Sequence, residues 1–145
     1  MRINRFALAV GLAMASVLFL EVAAHADEMD QSTKITFSQP VQIPGQVLPA
    51  GTYLFKLADS DDVNLVQIFN ADGTRLRATV QTIEAEREED ATGDTVIVMA
   101  EQATGRPEAL LKWFYAGDTE GHEFVYSDDE EKQLTRDQQQ TILAK

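Results

Sequence analysis

The chain has 145 residues, no cysteine, and 24 acidic side chains against 12 basic ones, for a formal charge of −12. Without cysteine it can build neither a disulfide framework nor a thiolate metal site or nucleophile. Lys and Arg nowhere cluster, so a phosphate backbone or an anionic lipid surface finds nothing to hold it, which excludes nucleic acid as a partner. The acidity itself serves solubility.

Residues 1–26 read as a secretory signal peptide. Arg2 and Arg5 precede an unbroken apolar and small run from Phe6 to Leu20, and Ala24-His25-Ala26 has the small-x-small pattern of a cleavage site. A retained anchor is the weaker reading. The run is shorter than the ~20 residues a spanning helix needs, and no cysteine is present to carry a lipid. The expectation is an exported chain, periplasmic or extracellular, that starts near Asp27 and inserts in no membrane after cleavage. Taking Arg2, Arg5 and Glu21 away with the leader leaves 10 basic and 23 acidic side chains.

From Asp27 the pattern is that of strands. Thr33 to Ser38 alternates, with Ile35 and Phe37 on one face. Pro40 interrupts, Val41 and Ile43 continue inward, and Pro44-Gly45 and Pro49-Ala50-Gly51 make a corner before Tyr53, Phe55 and Leu57 share the next inner face. Val63 to Phe69 is apolar on both faces, as in a strand at the middle of a sheet. Asn70-Ala71-Asp72-Gly73 is a hairpin turn. Its return strand, Arg75 to Ile83, should point Leu76, Ala78 and Val80 inward. Glu84 to Asp94 reads as an acidic connection, Thr95 to Ala100 as a fully buried strand, and Glu108 to Tyr115 as a strand on account of its aromatic triplet. His122 to Tyr126 is the partner strand. Close strands separated by Gly and Pro predict one all-β domain over 27–126, an antiparallel sandwich or barrel. Residues 127–145 are polar. Ser127 and Glu130 have capping-box spacing, but the apolar residues are too few for a continuous helix face, so a short polar helix or a tail is expected.

Residues with chemistry in them are few. His122 is the one histidine beyond the leader and no Gly-x-Ser-x-Gly elbow occurs, so His122 reads as a surface residue at the start of a strand. Asp59-Ser60-Asp61-Asp62-Val63-Asn64 spaces oxygens like the front of a calcium loop, with Asp59, Asp61, Asp62 and Asn64 as candidate ligands. It lacks the Gly at the sixth position and a dedicated bidentate Glu, and an acidic turn in water competes with it. Trp113, Phe114 and Tyr115 are the candidate binding face, since aromatic rings on a sheet stack on sugars or pack on a partner protein. Burial of both faces in a two-layer core is the competing account.

The segments PVQIPGQVLPAGTYLFKLADS, VQIFNADGT and EALLKWFYAGDTEGHEFVY resemble a family of small exported bacterial proteins, familiar mainly from soil bacteria, with PGxVLPAGTYxFKL, IFNxDGT and WFYPGDxxGxEFVYP blocks. The chain departs from the pattern at Ala116 and Ser127, where prolines are usual, and in its acidic stretch from Glu84 to Asp90. The resemblance covers Thr33 to Tyr126 and implies export and a β-fold; it carries no mechanism. Leu48 to Tyr53 alone is similar to the strand start of transthyretin-like modules, which bears on architecture only. Two functions are therefore expected to compete: a non-enzymatic binding or structural module of the envelope that meets a protein or glycan, and a carboxylate-dependent hydrolase acting on carbohydrate. The second requires a concave site where acids converge.

Overall fold

A computed structural model describes residues 21–27, 32–59, 62–88, 93–102 and 105–144; for 25–27, 59, 62, 63 and 135–144 it describes the backbone alone. Among these residues the chain is all-β. Its strands are β1 (Val22–Asp27), β2 (Ser32–Phe37), β3 (Val41–Ile43), β4 (Gln46–Leu48), β5 (Gly51–Asp59), β6 (Asp62–Asn70), β7 (Leu76–Glu86), β8 (Thr95–Gln102), β9 (Glu108–Phe114), β10 (Glu120–Phe124) and β11 (Leu134–Ala144), with a one-turn helix α1 (Asp128–Glu131) before the last. Hydrogen bonds run in the order β1-β2-β5-β6-β7-β10-β9-β3-β4, while β8 takes the other edge of β9 and β11 lies outside β8. Because β1 comes back against β11, the sheet curls on itself into a sandwich-like body. One pairing is parallel, Val41 and Gln42 with Glu108 and Ala109. It makes the sheet mixed where a purely antiparallel one was expected. Strand β10 pairs with β9 at Trp113 and Lys112, and the short β3 occupies the same edge nearer the start of β9.

The inward alternation holds where it was simplest. Thr33, Ile35 and Phe37 are buried while Lys34 and Thr36 are exposed, and Tyr53 and Phe55 are buried on the neighbouring strand. Phe55 is the hub of the core: its ring lies 6.3 Å from Phe37 and meets Trp113 and Phe124 edge-on at 5.9 and 6.4 Å. The β6–β7 turn forms with Gly73 at φ 73° and its amide 2.9 Å from the Asn70 carbonyl.

Two expectations fail for reasons of register, and a third, the short polar helix after Tyr126, holds for one turn only. Leu76 is 48% exposed, not inward. The ladder pairs Ile68 with Ala78 but Phe69 with Leu76, and the extra residue, Arg77, turns Leu76 to the outer face that Phe69 occupies. Strand β7 runs through Ile83 to Glu86 where a connection was expected, because β10 pairs with it from Thr82 to Glu86. Finally, the capping box of α1 forms, with the Ser127 hydroxyl accepting from the Glu130 amide at 3.3 Å, but the helix stops after one turn and Leu134–Ala144 continue as a strand. The sparse apolar residues give a helix nothing to rest on. The buried strand β8, by contrast, has an edge whose N–H and C=O groups need partners, and β11 supplies them. The β-body therefore extends to Ala144.

Candidate functional site

Strands β7 and β10 grade from core to rim. Their register sets Phe124 against Thr82, His122 against Glu84, and Glu120 against Glu86. The first pair is buried, His122 is half-buried, and the three glutamates are exposed. On its other side His122 faces Trp113 across β9, with ring centres 5.5 Å apart and planes at 32°. Leu57 of β5 and Asn64 of β6, the strands that follow on beyond β7 in the sheet, border the same space. The turn after β9, closed by the Asp118 amide on the Tyr115 carbonyl at 3.0 Å, brings Tyr115 and Asp118 over the same space. Together they bound an open pocket of about 430 Å³ whose lining includes Asn64, Glu84, Tyr115, Asp118, Glu120 and His122.

The electrostatics of this pocket are one-sided. Carboxylate oxygens of Glu84, Glu86 and Glu120 all lie within 4.8 Å of one another, an arrangement of like charges that opposes folding. Among the described residues no Lys or Arg lines the pocket. Arg87, next in the chain, holds its guanidinium 6.0 Å over the Phe114 ring. Three close carboxylates suit a hard cation or an amine, and His122 adds an imidazole at the wall. Burial pushes the Glu108 carboxyl above its ordinary value, with help from the Glu101 charge. That residue begins β9, however, at the far end of the strand from Tyr115.

The candidate residues divide. Trp113 and Phe114 are 1% and 2% exposed, so the open aromatic face expected over Trp113, Phe114 and Tyr115 does not exist. A bulge is the reason. Val98 pairs with Lys112 but Met99 with Leu110, so strict alternation breaks at Leu111. Trp113 then enters the Phe55 core, and Phe114 lies on Gly121, where an added Cβ would come within 2.6 Å of the ring and 2.5 Å of the Trp113 carbonyl. Tyr115 alone reaches the pocket. Of the calcium candidates, Asp61 and the side chains of Asp59 and Asp62 lie outside the described residues. The backbone pairs Asp59 with Asp62, and Asn64 lines the pocket. One residue from each candidate site thus arrives at the same place.

The residues missed were Glu84, Glu86, Asp118 and Glu120, and His122 was misplaced to the surface. A signal was present: Glu84 and Glu86, like Glu120 and His122, are two apart and so share a face once the segment is a strand. Compared with protein-family models, curated proteins and solved structures, the chain matches none of them.

Proposed function

We propose that the protein is an exported, non-enzymatic binding module of the cell envelope whose pocket holds a small cationic ligand. The observation that carries this reading is the convergence of three carboxylates, Glu84 and Glu120 in the lining of a concave site and Glu86 beside them. A pocket with a few converging polar groups is the ordinary form of a small-molecule site, and an uncompensated negative rim selects for positive charge. Calcium and organic amines are the two chemistries that fit. Thermal unfolding with calcium chloride, with 1,4-diaminobutane and with neutral oligosaccharides separates them. A cation at a hundredfold excess over its Kd stabilises the fold by about 2.7 kcal/mol, and this gain should vanish in Glu84→Gln/Glu120→Gln.

The hydrolase reading keeps one supporting observation, that acids converge in a concave site with a histidine. A glycosidase pair also needs one carboxyl held protonated by burial, whereas Glu84, Glu86 and Glu120 are exposed. Turnover of a chromogenic glycoside without any stabilisation by cations would replace the binding reading with the enzymatic one.

A further inference from the structure

In the full chain, β1 fills the outer edge of β2. Six residues pair antiparallel from Val22 with Phe37 to Asp27 with Ser32. The pairing extends through Glu21, whose amide and carbonyl bond to Ser38 at 2.6 and 3.0 Å. Val22 is buried and Ala24 half-buried, completing the wall over Ile35 and Phe37, and the other side of β1 meets β11. The same six residues contain the Ala24-His25-Ala26 cleavage pattern. Cleavage after Ala26 therefore removes all of β1 except its last residue. What is left is a gap one strand wide between β2 and β11, with a free backbone edge and an apolar floor.

We infer that this gap is a strand-acceptor site in the mature protein, filled in trans by an extended segment of another protein with small apolar residues at alternate positions. The inference rests on the export reading above. Strand addition to a free edge supplies backbone hydrogen bonds, while the inward side chains set specificity. The leader itself shows what fits: Val22, Ala24 and Ala26 stand opposite Phe37, Ile35 and Thr33. The β2 of a second folded copy would bring its own sheet into a gap bounded by β11, whereas a free extended segment enters alone. Thr33 adds a preference. It is 0% exposed, and its hydroxyl has no hydrogen-bond partner among the described residues. Its cross-strand neighbours are Ala26 and Phe55, residue types with no side-chain acceptor. On the other face of the same strand, Thr36 and Thr52 pair their hydroxyls at 2.8 Å. A Ser or Thr opposite Thr33 would do likewise, so the natural occupant binds tighter than the leader sequence does.

The test uses protein exported and matured by an expressing host. Its intact mass fixes the N-terminus, and amide hydrogen exchange over Ser32–Phe37 is followed with and without a Glu21–Asp27 peptide, its Ala26→Thr form, and an Ala24→Glu form that puts charge on the inner face. The expected result is a chain starting at Asp27, fast exchange at those amides of Ser32–Phe37 that point away from β5, protection of them by the first peptide, severalfold tighter binding of the Ala26→Thr form and none of the Ala24→Glu form. A mass that retains Val22–Ala26 overturns the export reading and the inference with it. A mature chain whose gap-facing amides in Ser32–Phe37 are already protected overturns the inference alone: protection independent of concentration means β2 has closed on β11, and protection that rises with concentration means a second copy is the occupant. Exposed amides that no peptide protects overturn it as well.

Discussion

Two acidic clusters on this protein use the same side chains in opposite ways. In α1, Asp128, Asp129, Glu130 and Glu131 gather in a single first turn, and each favours the positive end of the backbone dipole. Glu130 goes further. One carboxylate oxygen accepts from the Ser127 hydroxyl at 3.0 Å, and the other accepts from the Gly45 amide at 2.9 Å, tying the helix to the β3–β4 turn. At the pocket, Glu84, Glu86 and Glu120 face one another instead. The difference teaches that acidity alone does not identify a site. Carboxylates that find backbone donors stabilise the fold, and those held against each other weaken it.

The largest effect should come from beneath the pocket. Trp113→Ala removes the ring on which His122 rests and a buried neighbour of Phe55, at a cost of about 3–5 kcal/mol in urea unfolding. A loss under ~1 kcal/mol would show that the aromatic core does not support the pocket wall. Next, Glu130→Ala should cost about 1–2 kcal/mol, since it strips both the cap and the Gly45 tie. Burial raises the Glu130 carboxyl, but the hydrogen bonds from Gly45 and Ser127 and the charge of Arg106 outweigh it and hold it below its ordinary value of 4.5. A lowered pKa contributes stability that is present above the ordinary value and lost as the pH falls through the lowered one. The gap between wild type and Glu130→Ala should therefore narrow on acidification below that value. A gap that stayed constant would mean packing, not charge, ties the helix down. Smallest and opposite in sign, Glu120→Gln should raise stability by roughly 0.2–1 kcal/mol, more at low salt than at high. A destabilised Glu120→Gln would erase the contrast between the two clusters.

Much of the fold was legible because it depends on period and on turn chemistry. Ile35, Phe37, Tyr53 and Phe55 alternate without interruption, and Asn70 to Gly73 is a turn that its own residues specify. What sequence could not show was pairing. Arg77 and Leu111 are bulged residues, and nothing local distinguishes a bulge from regular alternation, so the faces of Leu76 and of the Trp113 triplet were misread. Leu134–Ala144 became a strand through the needs of β8, which lies elsewhere in the chain. The pocket was invisible for the same reason. Glu84 and Glu86 sit in a stretch that reads as a solvated loop until β10, which carries Glu120, pairs with it. Asn64 and Tyr115, singled out for two separate sites, line one pocket.

The contact between Trp113 and His122 has an optical consequence. The chain contains a single tryptophan, so its long-wavelength emission comes from one indole, and that indole stands beside an imidazole lining the pocket. An imidazolium quenches an excited indole far more strongly than a neutral ring does. Whatever enters the pocket and displaces or recharges His122 thereby changes the brightness of the protein, which carries its own unlabelled reporter of occupancy.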